Sequence, residues 1–309
     1  MSPLKVKIGC CGFPVSKKKY YEALSLVEIN ATFYKYLDQS LLEKWRKEAP
    51  ENFEFTVKAH QDISHTFKLS WRKETREALK RMVETCETLE AQVLLIQTPG
   101  SLRPSKETLK EAQRFFEKAG RENLTLVWET RGPEWLKQEN FEALRRLLSK
   151  VNVVHCVDPL LAEPAYTSNI AYFRLHGMGE KLYYYEYSNV ELEKLKEKIG
   201  KIEGVETVYM LFNNLAMFTD AVRFKTYLET GRFPPLQDAY GVEAAWKILK
   251  NVKFPVTKAN LVKRLGWRLL EIKPGRQIPL KSVLNQLPSK TYQNSEALLE
   301  DVEKILDEL

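Results

Sequence analysis

The sequence predicts an α/β fold: a TIM-like (β/α)8 barrel with a small C-terminal helical domain. Eight short, apolar, β-rich runs recur over the first two-thirds of the 309 residues. Polar, helix-like stretches separate most of them, and strands that alternate with helices build a parallel sheet. Nearly every run also ends in a charged or amide side chain, and the C-terminal strand ends of such a barrel form its active-site mouth.

In order, the runs are Lys5–Cys11, Leu26–Phe33, Phe53–His60, Gln92–Thr98, Leu124–Arg131, Asn152–Asp158, Ala171–His176 and Thr207–Asn214. Their spacing of roughly 20–40 residues leaves room for crossover helices. The first link is read as a short loop carrying Lys17, Lys18 and Lys19, followed by Tyr20 and Tyr21. Helices are expected over 40–49 with Ser40 as a capping-type residue, over 71–89, over 105–119 with Ser105 as N-cap, and over 141–149 and 190–199. Residues 217–230 supply the closing helix. The run Gly231–Pro235 is a boundary signal. It divides the chain into a catalytic barrel, 1–233, and a small basic helical domain, 234–309, whose core lies at about 254–309. Helices there are expected over 241–250, over 258–265 capped by Thr257, over 279–287, and over 295–309 beginning at Ser295.

Composition bounds the class. A hydrophobic fraction of 44% supports a full core. No apolar run reaches the roughly 18–20 residues that span a bilayer, and the first strand begins too early for a signal peptide, so a soluble, cytoplasmic protein is expected. Cys10, Cys11, Cys86 and Cys156 have no CxxC spacing and read as buried free thiols. High Lys and Glu content with only four histidines points toward a thermophile. The net charge of +7 is unevenly placed: residues 250–294 hold ten Lys/Arg against one acid, Glu271, while the last fifteen hold six acids and one lysine. A localised basic segment suits a polyanion, although a well-solvated small domain reads the same way.

The polar strand ends are Glu28, Asn30, Lys58, His60, Gln97, Glu129, Arg131, Asp158, Arg174, His176, Asn213 and Asn214. Residues two apart on a strand share a face, so Glu28/Asn30, Lys58/His60, Glu129/Arg131 and Arg174/His176 are expected to converge. A purely structural alternative is a buried ion-pair lattice, for example Glu28–Lys58 and Glu129–Arg174.

Several of these residues sit in a recognisable order of motifs: V-E-I-N-x-T-F-Y at Val27–Tyr34, F-x-V-K-A at Phe55–Ala59 followed by His65, E-x-R-x-x-x-W at Glu129, Arg131 and Trp135, R-L-H-G at Arg174–Gly177, and F-N-N at Phe212–Asn214. In this set the chain resembles the YecE-like proteins, domain of unknown function 72, over about residues 5–230. Residues at about 254–305 resemble a second small helical module, domain of unknown function 2795. The first resemblance implies a TIM-like barrel and no agreed chemistry. The chain departs from the family pattern in its short, lysine-rich first loop and in Leu215–Ala216–Met217 after the paired asparagines. Both departures would reshape the mouth.

The chemistry therefore comes from the residues. Glu28, Glu129 and Asp158 suit acid–base work or support of a cationic transition state. Lys58 is placed to be a Schiff-base nucleophile or an anion contact. Arg131 and Arg174 suit a phosphate or carboxylate, and Asn30, Asn213 and Asn214 suit a base or sugar edge. A metal site would draw on His60, His176, Glu28, Glu129 and Asp158, but no metal-binding spacing appears, and neither metal nor cofactor is expected. Tyr183, Tyr184, Tyr185 and Tyr187, next to Lys181, would stack bases over the mouth or pack on its rim.

The leading expectation is a hydrolase of the DNA N-glycosylase type, acting on a base extruded from DNA. Its catalytic set is Asp158, Glu129, Glu28, Lys58 and His176. Substrate contacts come from Asn30, Tyr34, His60, Gln97, Arg131, Arg174, Tyr184, Asn213 and Asn214. Nucleic-acid contacts come from Lys17, Lys18, Lys19, Lys181, Lys258, Lys263, Arg264 and Arg268. A monomer is expected. The alternatives are a metal-dependent phosphodiesterase or abasic-site endonuclease, a hydrolase or isomerase of a small phosphorylated sugar, and a non-enzymatic nucleic-acid-binding scaffold.

Overall fold

The computed structural model describes residues 4–120 and 123–309. The chain divides into two compact units: one holds the residues up to Leu175 together with Glu197–Phe212, the other His176–Lys196 and Asn213–Leu309.

The first unit contains eight parallel strands: β1 (Lys5–Cys11), β2 (Leu26–Ile29), β3 (Glu54–Lys58), β4 (Val93–Gln97), β5 (Thr125–Glu129), β6 (Val154–Cys156), β7 (Ile170–Leu175) and β8 (Thr207–Phe212). They run in the order β6-β5-β4-β3-β2-β1-β8-β7. A parallel bridge from Val157 to Phe173 joins the two ends of that order, which makes the sheet a nearly closed TIM-like barrel. Leu26, Leu95, Val127, Val154, Tyr172 and Leu211 are among the buried residues of one strand core, as expected of a parallel sheet covered on both faces. Gly9 is required by the tight β1–β2 approach, where a Cβ would lie 2.2 Å from the Leu26 carbonyl oxygen. At the N-terminal strand ends, Lys7 and Tyr209 both bond Glu54.

Every predicted strand is present. The second is shorter than expected: it stops at Ile29, and Ala31–Tyr34 turns into a short helix. The first link is not a plain loop. Lys17–Ala23 is helical, anchored by buried Tyr20, whose hydroxyl accepts from Cys10 N–H (2.8 Å) and donates to the Leu26 carbonyl (2.7 Å), tying β1 to β2. Helices follow at Gln39–Glu48, Lys73–Leu89, Lys106–Ala119 and Gln138–Val151. Ser105 caps its helix through Thr108 N–H, but the helix expected from Ser40 is entered from Asp38. A helix over Asn189–Gly200 runs through the division between the units.

The second unit holds helices Met217–Thr230, Gly241–Leu249, Lys258–Leu265, Leu280–Leu284 and Ser295–Asp307. It is not wholly helical, as the sequence suggested. Leu269–Lys273 pairs antiparallel with Arg276–Pro279, and Val256–Thr257 with Thr291–Tyr292. The turn between the first pair is made by Gly275 at φ +73, which breaks the apolar helical period. Thr257 caps as expected, but the last helix is capped by Asn294 rather than Ser295. Buried Leu270, Leu280, Val283, Leu284 and Leu298 centre this unit's core. Among the described residues, no helix is long and apolar enough to cross a membrane.

Candidate active site at the strand ends

Within the barrel unit, side chains from β2, β3, β5 and β7 meet at the C-terminal strand ends. Their positions follow from strand alternation: Glu28, Lys58, Glu129 and Arg174 are 0%, 8%, 4% and 1% exposed. Arg174 is the centre. Its Nη1 donates to Glu129 Oε2 at 2.6 Å, and its Nη2 lies 2.9 Å from Glu28 Oε1, out of line for a hydrogen bond. Arg131 Nη2 takes the other Glu129 oxygen at 2.6 Å. The Tyr172 hydroxyl donates to Glu28 Oε2 at 2.8 Å and also contacts Thr56 Oγ1 at 2.8 Å. Asn30, at the start of the short helix after β2, offers Oδ1 to Arg174 Nη2 at 3.4 Å.

The lattice that forms thus keeps the expected Glu129–Arg174 pair and gives Glu28 to Arg174 rather than to Lys58. Lys58 instead places Nζ 4.1 Å from the centroid of the Phe33 ring. Burial, and then the Arg174 charge, push its amine down to about 8; Glu28 and Glu129 pull the other way. Among the described residues, the buried Arg174 Nε and Asn30 Nδ2 of this cluster have no hydrogen-bond acceptor.

Other expected residues take different places. His60 stacks on Tyr36 at 4.0 Å, and its Nδ1 accepts from Asp62 N–H at 3.2 Å; burial lowers its pKa. Gln97 is half-buried and donates to the Thr98 carbonyl at 3.3 Å. Tyr34 is 72% exposed, its ring edge-on to Phe33. Asp158 Oδ1 accepts from Leu160 N–H at 3.0 Å, and its carbonyl caps the turn that follows. His155 is buried, bonded to Thr130 and to Ala165 N–H, and burial pushes it down to about 4. His65, against the Phe33 ring, is lowered by burial and by Lys58.

His176, Tyr184, Asn213 and Asn214 belong to the second unit. His176 is buried with Tyr183 at 5.9 Å, and Asn213 is half-buried. Asn214 Nδ2 donates to the Tyr185 carbonyl at 2.8 Å and to Asp220 Oδ2 at 2.7 Å. Burial lifts the Asp220 carboxyl to about 7. In the tyrosine segment, the Tyr187 hydroxyl accepts from Gly177 N–H at 2.8 Å, and Tyr184 lies edge-on to Trp267 under Lys181. Glu186, buried between those tyrosines, holds Arg268 through two bonds of 2.9 and 3.0 Å. Lys258 donates to the Leu287 carbonyl and Lys17 pairs with Glu48, while Lys18, Lys19, Lys263 and Arg264 are exposed.

Among the described residues, no group of three or more His, Cys, Asp or Glu side chains is arranged to hold a metal ion. The four cysteines are buried and free, and burial raises the thiols of Cys11, Cys86 and Cys156. Sequence reading missed Tyr172, Thr56 and Phe33. Tyr172 was within reach, because it precedes Arg174 by two on the same strand face.

Residues 17–238 match the family described as "Protein of unknown function DUF72". A curated relative, UPF0759 protein YunF from Bacillus subtilis (strain 168), is 25% identical over 231 residues, covering 64% of this chain and 81% of its own. A solved DUF72 family protein from Enterococcus faecalis V583 superposes with a TM-score of 0.61 at 21% identity, over 75% of this chain and 98% of the other. Another, from Thermotoga maritima MSB8, gives 0.59 at 23% identity, over 73% and 99%. These two structures share the barrel fold. The family match stops short of the module expected at about 254–305.

Proposed function

The chain belongs to the DUF72 family, and from that premise and the strand-end geometry we propose that its barrel is an enzyme acting on a carbonyl carbon through the amine of Lys58. The observation that carries this reading is a buried lysine with no carboxylate of its own, held down to about 8 beside Arg174. At pH 7 such an amine is about 10% neutral, some 300-fold more than an ordinary lysine. Only the neutral form is a nucleophile.

The step is an imine formation. The Lys58 nitrogen lone pair attacks the carbonyl carbon, a C–N bond forms, and the carbonyl π pair moves to oxygen. One proton passes from nitrogen to that oxygen. The hydroxyl then takes up a second proton from solvent and leaves as water, and the nitrogen lone pair closes the C=N bond of an iminium ion. That cation accepts the electron pair released when a bond at the adjacent carbon breaks. Glu28 and Glu129, fixed by Arg174, Arg131 and Tyr172, are preorganised negative charge for it.

This reading moves the reaction away from water activation by a carboxylate, as a simple N-glycosylase would use. Both Glu129 oxygens and Glu28 Oε2 take guanidinium and phenol donors, Glu28 Oε1 lies 2.9 Å from Arg174 without a hydrogen bond, and Asp158 Oδ1 accepts from a backbone N–H. An open-chain sugar remains an eligible substrate, whether free or as an abasic site in DNA. The test is reductive trapping: the full chain is incubated with cyanoborohydride and either pyruvate, glyceraldehyde or an oligonucleotide bearing an abasic site, then mapped by peptide mass spectrometry. Covalent mass gain at Lys58, lost in Lys58→Met, is the expected result, and the substrate that labels fastest gives the class. Labelling spread evenly over surface lysines would defeat the proposal.

A further inference from the structure

We propose that the Lys58 site binds its substrate by a carboxylate next to the reacting carbonyl, so that the ligand class is a 2-oxo acid. The inference rests on the Lys58 reading and adds the group that orients the substrate.

Its basis is a set of unfilled donors in one cluster. Arg174 is 1% exposed; its Nη1 bonds Glu129, its Nη2 bonds Asn30 and lies beside Glu28, and its Nε has no hydrogen-bond acceptor among the described residues. Asn30 gives its oxygen to that same guanidinium, which leaves its buried Nδ2 also without an acceptor. Arg174 is held by Glu129 and Glu28, and Asn30 is joined to its guanidinium by one bond, which places both donors in the same cluster. Buried donors are rarely left unmatched in a folded protein, and a guanidinium N–H is a charge-assisted donor to a carboxylate. Lys58 lies close enough to feel the Arg174 charge as the second cause of its shift.

Charge selects carboxylate over phosphate. Glu28 and Glu129 balance Arg131 and Arg174, so the cluster is neutral around an uncharged Lys58 and carries one positive charge once the iminium forms. A bound monoanion cancels that charge. A phosphate dianion would leave an excess negative charge among two buried carboxylates, which burial strongly disfavours. The two donors also lie in the same cluster as Lys58, which suits an acid group bonded directly to the carbonyl carbon rather than one at the far end of a sugar chain.

The test separates binding from chemistry. Binding is read by calorimetry with lactate, which has the carboxylate but no carbonyl, against lactamide, which lacks the charge. Lactate should bind to the parent and to Lys58→Met at least tenfold more tightly than lactamide, and Asn30→Leu should lose that preference. Chemistry is read by cyanoborohydride trapping at Lys58 with pyruvate, methyl pyruvate and glycolaldehyde phosphate. Pyruvate should label at least tenfold faster than the other two. Equal labelling by pyruvate and its ester, or faster labelling by the phosphate, overturns the carboxylate inference and leaves the Lys58 amine standing. Selective lactate binding with no labelling by any carbonyl compound supports the anion site and removes the imine reading. No preference for lactate in the parent overturns the inference outright, and because Asn30→Leu leaves Arg174 and both carboxylates in place, its loss of binding is not a failure of the charge network.

Discussion

Replacing Lys58 with methionine should stabilise the protein below pH 8, by an amount that disappears as pH rises. The amine titrates at about 8 in the folded chain against 10.5 in its ordinary state. One pKa unit corresponds to about 1.4 kcal/mol, so holding Lys58 charged in the fold costs about 3 kcal/mol. At 8% exposure there is little solvent to screen it. Between pH 8 and 10.5 the unfolded chain still holds the proton that the folded chain has released, so the parent gains stability as pH rises through that window. Below it, the full penalty is present. Methionine is of similar length, removes the charge, and leaves Arg131 and Arg174 balanced by Glu28 and Glu129, so it carries no comparable penalty. Urea unfolding of parent and Lys58→Met at unit steps from pH 6 to 10.5 should give a gain of about 2–3 kcal/mol at pH 6–7, shrinking toward zero by 10.5. A stability difference that stays constant across this range, or that grows with pH, would refute the depressed amine and with it the nucleophile.

Other perturbations have equally definite outcomes. Arg174→Met leaves Glu28 and Glu129 buried without their shared cation and should cost about 3–5 kcal/mol, part of it recovered by adding Glu129→Gln; a loss below about 1 kcal/mol by urea unfolding would contradict the lattice. Gly9→Ala drives a methyl to 2.2 Å from the Leu26 carbonyl oxygen, a main-chain atom that cannot swing aside, so a loss of at least about 1–3 kcal/mol is expected, and an unchanged melting temperature would argue against the β1–β2 spacing. His155, pushed down to about 4, contributes stability that is fully present above about 6.5 and lost as pH falls toward 4; its ring resonances should not move between pH 7 and 5.5, and a midpoint near 6.5 would contradict its burial.

The barrel was legible because parallel strands covered on both faces read as apolar, β-rich runs, clearest in β4 (Val93–Gln97) and β8 (Thr207–Phe212). The strand ends were legible for the same reason: polar residues such as Glu28, Glu129 and Arg174 stand out at the edge of apolar segments, and alternation places them inward. What alternation could not give was the conformation past the last strand residue. Asn30 was assigned to the Glu28 face by a two-residue step, but the chain has already turned into a helix there, and Asn30 reaches Arg174 by a different route. His60 likewise lies beyond β3 and turns to Tyr36 and Asp62. Partner choice was illegible too. Glu28 could pair with Lys58 or Arg174 on sequence alone, and the outcome depends on a planar guanidinium that reaches two carboxylates at once, where an ammonium on a flexible stem would satisfy one.

That partner choice determines what the site can do. Had Lys58 taken Glu28, its amine would be held charged by a direct carboxylate contact and would be inert as a nucleophile at neutral pH. Because Arg174 pairs with both Glu28 and Glu129, and Arg131 with Glu129, the two carboxylates are neutralised by two cations that cannot give up their protons, and the lysine is left with burial and a like charge as its main influences. Arg174 therefore acts on Lys58 twice: it removes the counterion and adds repulsion. Exchanging it for lysine would keep the charge but not the fork, and one carboxylate would be released toward Lys58. In Arg174→Lys the Lys58 amine should move back up toward the ordinary lysine range, with a matching fall in its rate of reductive trapping at pH 7 and recovery of that rate at pH 9–10. A rate at pH 7 equal to the parent's would mean that burial alone sets the amine, and that the guanidinium serves only to hold the barrel's strand ends together.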